Sequence, residues 1–418
     1  MQHNYYQATQ RVDFAAPALD ADIETDAAIV GGGISGVSAA LHLAEQGFTP
    51  VLLEAQDIGW GASGRNGGQV LPGFGASMHK LTALVGPGEA KKLWDMSLEA
   101  MDLLHARIQR HAIPCDPQIG YLHAALKPRQ VRELKQDQEE LARLGAPVGR
   151  LLEGPELRAR LNSPRYIAAL EDNIAGHVHP LNYTLGLAKA AQAAGARIFA
   201  HSPVTRAEHG DPVTLHVGPH KVRAKFLIIA GGAYLNGLEQ KLNGYIMPVG
   251  TYIMATEPRA DVRELIPGNE AVADVNFVLD YFRRSADDRM LFGGRVSYSK
   301  LPPPNLGAAM LKRAVAVFPQ LKNAKAEFAW GGFVDITRNR APHFGRLTEN
   351  ILFLQGFSGH GLALTGMAGK LAAEAVAGQA ARFDVFARIP HARFPGGMLL
   401  RTPALLLATT WFRLRDML

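Results

Sequence analysis

Apolar and polar positions divide the chain into short apolar runs and longer stretches with helical spacing. Ala27–Val30 is an apolar run ending in Gly31-Gly32-Gly33, and Ser35–Gln46 then has helical spacing, with small residues at Ser38, Ala39 and Ala40, until Gly47 ends it. Pro50–Leu53 is a second apolar run, closed by Glu54, so the unit is strand, turn, helix, strand. The same periodicity predicts helices over Pro87–His111, Arg129–Leu144, Pro180–Ala194 and Leu362–Ala377. Strands are predicted at Tyr121–Ala125, Arg197–Phe199, Thr214–Val217, Phe226–Ala230, Met247–Thr256 and Met290–Gly293, with a glycine-rich turn closing Phe353–Gly356. His177 and His179 alternate as if on one more strand.

Gly31-Gly32-Gly33-Ile34-Ser35-Gly36 matches G-x-G-x-x-G. The hexapeptide alone is weak, but here it follows a strand and opens a helix, and Glu54 lies 18 positions after Gly36 (54 − 36) at the end of the next strand. Gly31 permits the tight turn, Gly33 lets backbone approach a pyrophosphate, and Gly36 lets helix and strand pack closely. The helix start at Ile34 and Ser35 offers backbone N–H groups and the positive end of the dipole to phosphates. A carboxylate at Glu54 accepts hydrogen bonds from ribose hydroxyls and repels a 2′-phosphate. The segment therefore reads as a Rossmann-type dinucleotide site.

Nucleotide-type signals recur at the beginning, middle and end of the chain. The expected fold is α/β: a Rossmann-type domain from 1–80, 175–245 and 335–393, and a substrate domain with a mixed or antiparallel sheet from 81–174 and 246–334. A tail follows at 394–418. At 418 residues the chain is too long for one ordinary core, and 47% apolar with 20% charged residues is a globular composition. The net charge of +6 is dispersed, which argues against nucleic acid as partner. One cysteine, Cys115, excludes an intrachain disulfide. Residues 1–20 lack the pattern of a secretory leader and no apolar run is long enough to span a bilayer, so a cytoplasmic location is expected. No His/Cys/Asp/Glu cluster has metal-ligand spacing. In the tail, Thr402 and Pro403 suit a helix start, and Leu407, Trp411, Leu414 and Leu418 share one face. Such a helix either docks on its own protein or rests peripherally on the inner membrane face.

The segment Asp26–Glu54 resembles the N-terminal unit of the D-amino-acid-oxidase-like flavoenzymes, the family of glycine oxidase and sarcosine oxidase. More specific is Gly59-Trp60-Gly61-Ala62-Ser63-Gly64-Arg65-Asn66-Gly67-Gly68-Gln69, which is similar to the family stretch running from the phosphates toward the flavin ring. Gly176–Tyr183, Ile228–Tyr234 and Gly356-Phe357-Ser358-Gly359-His360-Gly361 with Thr365–Gly369 agree as well, so the resemblance covers about Asp26 to Ala380. Gly61–Gln69 and Trp330–Pro342 resemble the gamma-glutamylputrescine oxidase branch.

The resemblance implies non-covalent FAD, with Gly31, Gly33, Ile34, Ser35, Gly36, Glu54, Ala62, Ser63, Arg65, Asn66, Gly67, Gly68, Gln69, Val204, Gly231, Gly232, Gly359, His360, Gly361, Leu362 and Thr365 holding it. Cys115 is not a flavin anchor, because relatives with covalent flavin use a cysteine late in the chain. The implied reaction is oxidation of an amine C–N bond, giving an imine, then a carbonyl compound, with O2 or a quinone as acceptor. Amino-acid-oxidising relatives carry an arginine after the Trp-x-Gly-x pattern that holds the substrate carboxylate. Here Val334 stands in that place, followed by Asp335. Asp335 either holds a substrate ammonium or caps a turn, and Arg295, Arg338 or Arg340 are alternative cations. His360 either touches flavin or substrate, or faces water. Gln69 and Asn66 either lie near the ring or only shape the loop. Tyr252 and Tyr281 line the pocket or belong to the core, and Arg65 meets a phosphate or a surface acid. The favoured small-molecule substrate is an amine such as gamma-glutamylputrescine. The rivals are an amino- or imino-acid dehydrogenase feeding a membrane quinone, and a flavin-binding or RNA-associated factor without turnover.

Overall fold

The computed structural model describes residues 4–147, 149–235, 237–276, 278–297 and 304–395. The helix expected from Thr402 onward lies outside them.

The strands flanking the glycine turns assemble into one sheet. Its order is His343–Thr348, Ile351–Gln355, His220–Ile229, Ile23–Val30, Pro50–Leu53, Arg197–Phe199, and the last five run parallel. Val204–Glu208 and Val213–Val217 extend it as a hairpin on His220–Ile229. Ala28, Ile29, Leu52 and Ile228 are fully buried. Burial on both faces explains why these strands read as continuous apolar runs rather than alternating ones.

The helices Ile34–Glu45, Pro180–Ala193 and Leu362–Val376 pack together beside this sheet. Their small residues set the closeness of approach. A Cβ on Gly369 would lie 2.4 Å from the Ser35 carbonyl oxygen, and Ser38 Oγ donates to the Gly366 carbonyl at 2.6 Å. The long helix Pro87–Arg110 is tied in by buried Arg107, which donates to Glu45 and meets His42 at 2.9 Å.

The second sheet runs Ala326–Thr337, Ile246–Thr256, Met290–Ser297, Tyr281–Arg284, Ala271–Asp274, Gln118–Ala125, Ala168–His177, Gln69–Val70. Neighbours are antiparallel except for Ala271–Asp274 beside Gln118–Ala125. One face is sealed by the helix Leu306–Val317 around Tyr166, Tyr252, Met254, Phe282, Phe292 and Met310. Each such fully buried apolar side chain contributes about 1.5–3 kcal/mol. The other face carries Ile253, Leu291 and Trp330, which join the core of the three helices, and Tyr121, Ala271, Ala273 and Tyr281.

Pro50–Leu53 has the expected bounds, and most other expected elements agree to within a few residues. The strands Ala168–His177 and Ala326–Thr337 and the helix Leu306–Val317 are additional. His179 is not on a strand with His177. It is the N-cap of Pro180–Ala193, where Nδ1 accepts from the Asn182 N–H at 3.1 Å.

Candidate active site

Gly31 has φ +112°, and a Cβ there would lie 2.7 Å from the Ala230 carbonyl oxygen, so only glycine fits the turn. Gly33 caps the following helix without a side chain. The helix start is not wholly open, because the Ile34 N–H donates to Ser63 Oγ at 2.9 Å. That bond seats the Ala62–Gly64 turn on the positive end of the helix. Glu54 accepts from the Gly32 N–H at 2.6 Å and from the Gln56 N–H at 2.8 Å, and burial pushes its carboxyl up. Gly231 and Gly232 form the neighbouring turn after His220–Ile229. Val204 packs with Val30 and Leu235 against the apolar cluster beneath.

Asn66 braces the next loop. Its Nδ2 donates to the Ala62 and Ser63 carbonyls, both at 3.0 Å, and its Oδ1 accepts from the Gly68 N–H at 2.8 Å. Arg65 Nε donates to the Trp60 carbonyl at 2.6 Å, the guanidinium lies 5.1 Å from the Trp60 ring centroid, and Nη1 reaches the Gly331 carbonyl at 3.4 Å. Arg65 thus ties the loop to Ala326–Thr337, a role in neither expected reading. Gly67 and Gly68 are docked tightly: Cβ atoms there would lie 2.6 Å from Tyr281 Cε2 and 2.3 Å from the Val178 carbonyl oxygen. Gln69 accepts from Tyr121 Oη at 3.2 Å and donates to the Val272 carbonyl at 3.0 Å.

Asp335 has the turn-capping role rather than an open ammonium site. Its Oδ2 accepts from the Gly356 N–H at 2.6 Å, and burial raises its carboxyl to about 6. It holds the start of the loop that carries His360. His360 Nε2 donates to the Pro72 carbonyl at 2.8 Å, which leaves Nδ1 as the acceptor nitrogen. Burial lowers the His360 pKa. Its partner is therefore a backbone carbonyl rather than bulk water. Gly359 has φ +81° and Gly361 caps the helix Leu362–Val376, where Thr365 Oγ1 donates to the Leu362 carbonyl at 3.1 Å.

The two tyrosines part company. Tyr281 lies on the sheet face that meets Gly67. Tyr252 points the other way, into the core under Leu306–Val317, because it occupies the opposite phase of a strand whose Ile253 faces inward. Three further residues share the Tyr281 face without having been anticipated: Tyr121, His123 and Asp172. The Tyr121 and His123 rings are 4.7 Å apart. Asp172 Oδ1 accepts from the Ile174 and Ala175 N–H groups, both at 3.0 Å, while Oδ2 lies 3.9 Å from His123 Nε2. Burial alone raises the Asp172 carboxyl, but His123 and the two amides outweigh it and hold it below the usual range. Period-two spacing of Tyr121 and His123 on an apolar strand was the available signal.

A family model described as FAD dependent oxidoreductase, DAO, matches residues 26–375. The chain belongs to the DAO family of FAD-dependent oxidoreductases. It is 40% identical over 418 residues to the gamma-glutamylputrescine oxidoreductase of Escherichia coli (strain K12), covering 99% of this chain and 98% of that one. It is 38% identical over 421 residues to a probable oxidoreductase, OrdL, of Haemophilus influenzae (strain ATCC 51907 / DSM 11121 / KW20 / Rd), covering 99% and 97%. The crystal structure of glycine oxidase from Geobacillus kaustophilus superposes with a TM-score of 0.76 at 21% identity, over 90% of this chain and all of that one, and so shares the fold. The site fits FAD: a side-chain-free helix cap, a glycine turn with no room for a Cβ, and an acidic residue beside that turn. Among the described residues no helix is long and apolar enough to cross a membrane.

Proposed function

We propose that the chain oxidises the terminal amine carbon of gamma-glutamylputrescine or a similar amine. The net reaction is amine, O2 and water to aldehyde, ammonia and hydrogen peroxide. The observation that carries this reading is 40% identity over 99% of the chain to an enzyme of that name. Val334 supports it, because a valine cannot hold the α-carboxylate that a bidentate arginine would. FAD, when bound, supplies the hydride acceptor for the C–H bond next to nitrogen.

The chain's own residues do the rest. The Gly31–Gly36 turn and Ser63 take the pyrophosphate, and Glu54 takes a ribose. The nucleotide-type sheet and its helices form the FAD domain, and the second sheet forms the substrate domain. The two loops, one braced by Asn66 and one started by Asp335, set Gln69 and His360 at the edge of the substrate space. His360, fixed on Pro72 and kept neutral by burial, offers Nδ1 as a hydrogen-bond acceptor to an amine N–H. An amine oriented in this way presents its C–H for transfer.

The test is anaerobic reduction of the holoenzyme. Gamma-glutamylputrescine is expected to bleach the flavin band at far lower concentration than any simple α-amino acid. Bleaching by α-amino acids alone refutes the proposal. Peroxide release in air, with and without added quinone, reports the acceptor.

A further inference from the structure

On the face of the second sheet beside Gly67, large and small side chains alternate from strand to strand. Tyr281 is in register with Ala273, and Ala273 with His123, so three side chains form a row across three strands. The central one is only a methyl group. Ala271, in the same phase as Ala273, is fully buried next to Tyr121. Large rings thus stand at both sides of a strip of alanines. At the usual strand spacing the row spans about 10 Å. One end, Tyr281, is packed on Gly67 of the loop that leads to the flavin. The other end is His123, with Asp172 on the next strand.

That far end has a defined chemistry. Asp172 is held by one oxygen only, through the amides of Ile174 and Ala175. The second oxygen faces the His123 ring nitrogen at 3.9 Å, beyond hydrogen-bonding distance. Asp172 is partly covered, with 17% of its side chain exposed, and His123 keeps 32%, so both are reachable from solvent. A carboxylate oxygen and an imidazole nitrogen, paired electrostatically across 3.9 Å but not hydrogen-bonded, are the complement of an amino-acid head. The carboxylate accepts from an ammonium, and the N–H donates to a carboxylate.

We propose that Asp172 and His123 read the far end of the substrate, an α-amino-acid head group, while the reacting amine lies at the Tyr281 end of that row. This rests on the function proposed above and adds to it. It places specificity at the end remote from the chemistry, about two strand widths away. An extended aminobutyl amide is of the right order to bridge that distance. It also accounts for the absence of a carboxylate-binding arginine at Val334: the carboxylate of such a substrate belongs at the other end of the site.

The test compares gamma-glutamylputrescine with its α-N-acetyl derivative, in which the distal ammonium becomes a neutral amide. The variants are Asp172→Asn, whose side-chain oxygen still accepts from the Ile174 and Ala175 amides, and His123→Gln. Loss of a charge-assisted hydrogen bond is expected to lower kcat/KM of Asp172→Asn for the parent amine about 10- to 100-fold, mostly through KM. The acetylated amine is expected to be a poor substrate of the wild type and to lose nothing further in the variant. A purely structural role for Asp172 would lower both substrates equally, and that result overturns the inference. If Asp172→Asn is isolated without FAD, His123→Gln is read instead against the α-carboxamide derivative, which removes the carboxylate that His123 would meet; an equal loss for the parent amine and the carboxamide again overturns it. Wild-type holoenzyme that neither amine reduces overturns the proposed function itself, a result distinct from reduction without discrimination.

Discussion

Replacing Gly369 with alanine drives a methyl group into the backbone of the helix that opens the nucleotide site. The new Cβ would lie 2.4 Å from the Ser35 carbonyl oxygen and 2.6 Å from the Ala39 nitrogen, and neither backbone atom can rotate away. Relief requires the helices Ile34–Glu45 and Leu362–Val376 to separate by about 1 Å, and overpacking of this kind costs about 1–3 kcal/mol. Alanine's better helix propensity returns up to about 1 kcal/mol, leaving a net loss of up to about 2 kcal/mol. Gly366, one turn away in the same helix, supplies the control. A Cβ there meets only Tyr183 Oη at 3.8 Å, an ordinary contact, so Gly366→Ala keeps the propensity gain without the clash. The two variants are therefore expected to move in opposite directions in urea or thermal unfolding of the apoprotein. FAD titration followed by flavin fluorescence is expected to weaken several-fold for Gly369→Ala alone, since the displaced helix carries Gly33 and Gly36. Equal stability and equal FAD affinity of the two variants would refute the argument that this crossing sets the site.

Tyr252→Phe is expected to leave the anaerobic flavin reduction rate within about twofold of wild type, because Tyr252 sits under the Leu306–Val317 helix; Tyr281→Phe, on the loop-facing side, is expected to change it, and stopped-flow absorbance compares the two. Asp335→Ala strands the Gly356 N–H and is expected to cost about 1–3 kcal/mol and loosen FAD, whereas Asp335→Asn keeps an acceptor and recovers most of both; equilibrium unfolding and flavin content check this. Burial and then Asp280 raise the Asp274 carboxyl to about 7. An acid raised in the fold favours the fold when protonated, so its contribution is largest below about pH 4 and is lost as the pH climbs through about 7. Asp274→Asn is expected to flatten that decline between about pH 4 and 7, as read from urea midpoints; an unchanged slope refutes it.

The nucleotide half was legible because its chemistry is local. Gly31, Gly33 and Gly36 with Glu54 lie within one strand–helix–strand unit, and the parallel strands beside it are plain apolar runs. The second sheet was harder. Ala326–Thr337 carries Gly331, Gly332 and a buried Asp335, which break the alternation expected of a strand. Ala168–His177 carries Glu171, Asp172 and Asn173 in succession. Glu171 is tolerated there because Arg160, at the end of the helix Gly154–Arg160, meets it at 2.8 Å. Compensation at a distance leaves no trace in a local window. Asp335 shows the same limit in the site: its sequence position left a substrate ammonium and a turn cap both open, and only the fold supplies its partner, an amide 21 residues onward. His123 and Asp172 come together only through the pairing of Gln118–Ala125 with Ala168–His177.

The parallel sheet places Ile23–Val30 between Pro50–Leu53, made soon afterwards, and His220–Ile229, made much later, with Ile351–Gln355 beyond. The helix that packs against Gly36's own helix, Leu362–Val376, comes later still. On the ribosome, the nucleotide turn therefore waits through most of translation with one flank of its strand and one flank of its helix uncovered. Cofactor capture therefore belongs late in synthesis, once Leu362–Val376 has docked onto Ile34–Glu45.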